Sequence, residues 1–263
     1  MTIARESLRK TDFQSVTTGK SEAKEALAID AGSTLALNAL AFAQWQNVLF
    51  RTVPDVDVAW HEGLNAVQRA IELDRSDSVG YACSGGMLLC QPDGSGRADR
   101  FDEGLNDTRR AHELSPNDTQ ALYVLGWSEA ISGNAAKGIE HLNQVLRNNP
   151  RDPGRFHVFC FLSMAYFLVK DYVTGTKLGF NAANEAPNLY NAQIFLAINY
   201  VGLGELEKAQ TALEIARQLA PETVQARLEG YSNFRDPEHR RRVTTFLRIA
   251  AGLEDLSAAD ALR

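Results

Sequence analysis

One theme returns six times along this chain of 263 residues, and that repeat limits the possible folds more than any other feature. The segments are ALAIDAGS, AIELDRSD, AHELSPND, VLRNNPRD, AANEAPNL and ARQLAPET. Each closes a stretch of helical apolar spacing with a turn, and Pro or a substitute holds one place: Ala31, Arg75, Pro116, Pro150, Pro187 and Pro221. The intervals are 44, 41, 34, 37 and 34 residues. Twelve residues before those points stand Gly19, Gly63, Gly104, Gly138, Gly175 and Ala209. Five residues before them stand Ala26, Ala70, Ala111, Val145, Ala182 and Ala216. A helical Gly costs roughly 1 kcal/mol against Ala, so its return at one phase needs a packing reason. Two helices pressed so close that only a small side chain fits between them supply it.

The partner helices repeat as well. LYVLGWSEA matches FCFLSMAYF and QIFLAINYV, with a large apolar residue followed directly by a small one at Leu125-Gly126, Leu162-Ser163 and Leu196-Ala197. Gly133 and Gly204 suit the left-handed cap that ends such a helix. The 34-residue spacing and these hairpins resemble the tetratricopeptide (TPR) repeat, most specifically over 117–221. The expected fold is all-α, a TPR-like α-solenoid: a right-handed superhelix of antiparallel helical hairpins. Residues 1–31 read as a partial repeat, 32–116 as two irregular repeats, 117–221 as three well-formed ones and 222–263 as capping helices. RTVPDVDV (51–58) and the loop at 91–99 account for the long intervals. In the cap, Asp236 and Pro237 start a helix whose stripe is Val243, Phe246, Leu247 and Ala250. The run Arg240-Arg241-Arg242 reads as a solvated face or as a basic contact.

Composition narrows the function. A net charge of −6 argues against a nucleic-acid surface, since phosphates reward a basic face. No run approaches the roughly 20 apolar residues of a membrane helix, and MTIARESLRKTDF lacks a signal-peptide core, so a cytoplasmic location is expected. Cys83, Cys90 and Cys160 are expected as reduced, partly buried thiols; two turns of helix, about 10 Å, separate the first two. His61, His112, His141, His157 and His239 show no metal-ligand spacing, no nucleophile motif is present, and GSGR lacks the Walker lysine. No enzyme, cofactor or metal is expected.

Finer signals are LSPND (114–118), LGW (125–127), NPRDP (149–153) and FRDPEHRRRV with AAGLED. On these the chain resembles the C-terminal TPR region of bacterial class III adenylate/guanylate cyclases and of winged-helix transcription regulators. The resemblance implies a regulatory role beside a catalytic or DNA-binding domain. Nothing in the chain matches the cyclase or winged-helix domain itself, so none of their residues carries over.

A binding surface is expected on the inner face of each first helix, opposite its hairpin partner. Helical phase puts Asn38, Phe42 and Trp45 there, then Tyr123, Trp127 and Ala130, then Cys160, Met164 and Phe167, then Ile194, Ile198 and Val201. These side chains are aromatic and aliphatic rather than basic. Two readings follow: a groove for an apolar peptide or amphipathic helix of a protein partner or a parent domain, or a tight stack in which the same side chains are core. A metabolite pocket and a cyclase remnant are the alternatives from other functional classes.

Overall fold

A computed structural model describes residues 13–91, 98–260 and 262. Of the described residues 78% are helical, and none of them is in a strand. In order the helices are α1 (Phe13–Ile29), α2 (Thr34–Phe50), α3 (Val56–Leu73), α4 (Ser78–Leu89), α5 (Ala98–Leu114), α6 (Thr119–Ile131) and α7 (Ala135–Asn148). Then follow α8 (Arg155–Leu168), α9 (Tyr172–Glu185), α10 (Tyr190–Leu203), α11 (Leu206–Leu219), α12 (Pro221–Leu228), α13 (Pro237–Ala250) and α14 (Ser257–Asp260). The chain divides into two compact units, one of residues up to Ser128 with Arg147–Gly154, the other of Glu129–Leu146 with Arg155–Arg263. The expected insertion at 91–99 lies mostly outside the described residues.

Small residues set the packing within each hairpin. In the first unit, a Cβ on Gly85 of α4 would lie 2.4 Å from the Gly104 carbonyl oxygen and 2.4 Å from the Thr108 methyl of α5. Backbone thus meets backbone, which no larger residue permits. In the second unit, Gly175 of α9 lies between two first helices. Its carbonyl accepts from Ser163 Oγ of α8 at 2.8 Å, and a Cβ there would sit 2.2 Å from Asn199 Oδ1 of α10. Ala209, which stands at this phase in α11, is fully buried.

The turns repeat at the level of single hydrogen bonds. The amides of Asp30, Asp74, Ser115, Ala186 and Ala220 donate to the carbonyls of Ala26, Ala70, Ala111, Ala182 and Ala216 at 2.9–3.0 Å. Three residues on, Ser33, Asp77, Asp118 and Leu189 donate back to the carbonyls of Asp30, Asp74, Ser115 and Ala186. An aspartate then starts the next helix in two of these turns: Asp77 accepts from the amides of Val79 and Gly80, and Asp118 from those of Gln120 and Ala121. First helices end alike. Arg51, Gly133, Lys170 and Gly204 have positive φ, and the next residue bonds back five places, as in Asp171 N–H to Tyr166 C=O at 3.0 Å and Glu205 N–H to Tyr200 C=O at 2.9 Å.

The two helices of a hairpin differ in how they are buried. Ala209, Ala212, Leu213 and Ala216 form one buried stripe on α11, the pattern of a surface helix. In α2, α8 and α10 most residues are buried, on every side. Something therefore covers their inner faces too.

Close approach at α4–α5 can be tested directly. Gly85→Ala should gain helix propensity yet lose about 1–3 kcal/mol of stability by overpacking, measured by urea denaturation. A neutral or stabilised variant would show that the two backbones are not in contact.

Candidate interaction surface

In the first unit the predicted inner positions meet one another. Trp45 is fully buried and packs against Phe42 (ring centroids 5.5 Å apart), Tyr123 (5.8 Å, edge-on) and Trp127 (5.7 Å, edge-on). Gly86 makes room for the indole, since a Cβ there would lie 2.8 Å from Nε1 of Trp45. Tyr123 and Trp127 are 8% and 2% exposed, and Phe42 is partly buried. These rings are the core that joins α2 to α6. Polar side chains flank them: Gln44 donates to Glu62, which also pairs with Lys20 at 3.2 Å and Lys24 at 2.6 Å, tying α1 and α2 to α3.

In the second unit Cys160, Met164, Phe167, Ile194 and Ile198 are 0–2% exposed. A segment from the C-terminal part of the chain lies over this face. Arg227 of α12 donates to Asn191 Oδ1 of α10 at 3.2 Å. The chain then reaches the end of α6, where Arg235 N–H bonds to the Ile131 carbonyl at 2.9 Å. It returns as α13, which begins at the predicted Asp236 cap and Pro237 and packs on α10 and α11. The stripe Val243, Phe246, Leu247 and Ala250 is buried. Phe246 stands edge-on to Phe167, centroids 5.1 Å apart, and Tyr172 lies 6.0 Å from Phe246 and 5.8 Å from Phe167, so the three rings form one cluster. Tyr172 is itself set against Gly202, where a Cβ would lie 2.4 Å from the ring.

Arg242 completes the contact and is 2% exposed. One guanidinium nitrogen donates to the carbonyls of Phe167 (2.9 Å) and Leu168 (2.6 Å), and the group sits 4.9 Å from the centre of the Phe167 ring. Helix ends explain this geometry. The left-handed cap at Lys170 satisfies the carbonyls of Phe167 and Tyr166, while that of Leu168 would otherwise stay orphaned at the negative end of α8. A cation is the suited donor, and the ring face adds a cation–π contact. Burial holds this guanidinium below its ordinary pKa, opposed in part by Tyr172, Glu238 and Asp236.

The structure thus corrects two expectations. The inner positions are buried rather than an open groove: aromatic neighbours fill them in the first unit, and in the second α13 covers Phe167 and packs on α10. Arg242 is neither solvated nor a free basic contact, although Arg241 beside it is exposed. Its phase held the signal: position 242 lies one turn before Phe246, on the edge of the same stripe. The thiols of Cys83, Cys90 and Cys160 are free and buried, with burial pushing each far above the ordinary range. Among the described residues, no group of three His, Cys, Asp or Glu could hold a metal, and no helix is long and apolar enough to cross a membrane.

Burial also pushes the His157 imidazole down to about 3. The unfolded value is near 6.5, so on acidification the unfolded chain takes the proton first. This contribution is whole above about pH 6.5 and is lost as pH falls toward 3. The stability of the wild type should therefore fall with pH across that window, and His157→Leu should lower the slope by up to about 1.4 kcal/mol per pH unit. Denaturation at a series of pH values checks this; equal slopes would contradict it. Trp127→Ala and Phe167→Ala should each cost about 3–5 kcal/mol. Calorimetry showing either variant as stable as wild type would return that position to the surface.

No family model matches the chain, and no curated protein matches it. Solved structures do. PilF of Pseudomonas aeruginosa is similar over 82% of this chain and 90% of its own, with a TM-score of 0.52 at 13% identity. TTC0263 of Thermus thermophilus, described as a thermophilic TPR protein, is similar over 72% of this chain and 91% of its own, with a TM-score of 0.50 at 16% identity. In the APC/C hetero-tetramer Cut9–Hcn1, a chain is similar over 89% of this one and 40% of its own, with a TM-score of 0.62 at 13% identity. At such identities the likeness is one of fold, and the fold is that of a TPR-like α-solenoid.

Proposed function

We propose that the protein is a non-enzymatic interaction module that docks a helix of a protein partner, or of a parent domain, on the inner face of its second unit. The observation that carries this reading is α13. An amphipathic helix already lies over the inner positions of the second unit, with its aromatic, aliphatic and guanidinium groups each in a matching place. A surface that accepts one such helix has the chemistry to accept another. The similar chain in Cut9–Hcn1 was crystallised in a complex, which agrees with a binding role for the fold. The motifs LSPND, LGW, NPRDP and FRDPEHRRRV favour a setting in bacterial signalling or transcription control, as in the C-terminal TPR regions of class III cyclases and winged-helix regulators. A cytoplasmic site of action agrees with that setting.

Photo-crosslinking in cells of the source organism tests this. A crosslinking residue at exposed Arg241, beside the seat of α13, should capture one recurrent protein that bears a signalling or DNA-binding domain. The same residue at exposed Glu214, on the outer side of α11, should not. Equal or scattered capture at both positions would contradict the proposal.

A further inference from the structure

We infer that the inner face of the second unit recognises a helix bearing Arg-x-x-x-Phe, and that α13 occupies this seat in cis as the internal competitor of a partner's helix. The inference rests on the interaction-module reading and gives its partner a chemistry. The seat has two parts at a fixed separation. One takes a cation: the Leu168 carbonyl, the negative end of α8 and the face of the Phe167 ring receive Arg242. The other takes an aromatic ring: Phe246 completes a three-ring cluster with Phe167 and Tyr172, which also touch each other. Four residues, a little over one helical turn, separate the two groups on α13, so both parts face one side of a single helix.

Two features make the cis occupant displaceable. The connection from α12 to α13 has no helix; Gly230 takes positive φ there, and the amides of Tyr231, Phe234 and Arg235 bond to the Ala226 carbonyl, the Ser232 hydroxyl and the Ile131 carbonyl. Its attachments to the structure behind it are few, the Arg235–Ile131 bond and the buried Phe234 side chain, so releasing these two frees α13 while the hairpin helices keep their own hydrogen bonds. The fit of α13 is also incomplete. Nε of Arg242 has no acceptor among the described residues, and the guanidinium meets neutral carbonyls rather than a carboxylate. Glu238 of α13 and Asp236 at its cap act on the guanidinium through their charge, and a trans helix whose carboxylate bonds Nε directly would satisfy the seat more fully.

A labelled peptide of residues 236–252 serves as the probe, with fluorescence anisotropy against the full chain. Wild type should bind it at least 10-fold more weakly than Phe246→Ala, in which the cis helix is loosened. On the Phe246→Ala protein, peptides carrying Arg242→Ala or Phe246→Ala should lose at least 10-fold in affinity. Equal affinity of wild type and variant, or of intact and substituted peptides, would overturn the inference. Should Phe246→Ala lose its helical circular dichroism, Arg242→Met replaces it, since it removes the guanidinium and keeps the stem; the same comparisons decide. A dimer that grows with concentration, without peptide binding, would show that α13 exchanges between copies and would also overturn it. Capture of a recurrent partner at position 241 that excess peptide does not reduce would overturn this inference alone and leave the interaction module standing.

Discussion

The structure depends on how closely two helices can approach within a hairpin. At Gly85 and Gly104 the approach reaches backbone contact, and at Gly175 it leaves room for Ser163 and Asn199 to bond between helices. Each Gly weakens its own helix by roughly 1 kcal/mol relative to Ala. The packed first helix, buried on nearly every side, offsets that cost. Turn hydrogen bonds, at Asp30, Asp74 and Ser115 in the first unit and at Ala186 and Ala220 in the second, then set consecutive helices side by side within each unit.

First helices sealed on their hairpin side still have an inner face to cover. The two units solve this differently. In one, rings from α2 and α6 meet around Trp45. In the other, the chain supplies a separate helix, α13, and anchors it with a buried arginine on the end of α8. A buried cation held by carbonyls is a costly anchor, but it is directional. It sets the register of α13 in a way that Val243, Leu247 and Ala250 could not do alone.

Most of the fold could be read from the chain because its determinants are local. The small residue twelve places before each turn and the left-handed caps at Gly133 and Gly204 are legible in a single repeat. The inner positions were legible by phase, and Trp45, Tyr123 and Trp127 do come together. Their exposure was not legible. Periodicity tells which residues share a face, whereas the cover of Phe167 arrives from 75 positions along the chain. Left-handed Arg51 and Lys170 carry no glycine signal, and tertiary packing holds them in a conformation that their type disfavours. Arg242 was hidden in a run of three arginines, where charge reads as solvent although helical phase points inward.

The central claim is that α13 is a separable occupant of the inner face rather than an integral layer of the core. Native-state hydrogen exchange of the full chain measures this most directly. The account predicts that amides of α13 exchange through a local opening at least 10-fold more frequent than that which exposes α8 and α10, with both of those helices still protected. Exchange of α13 only through the same global unfolding that exposes α8 and α10 would contradict it.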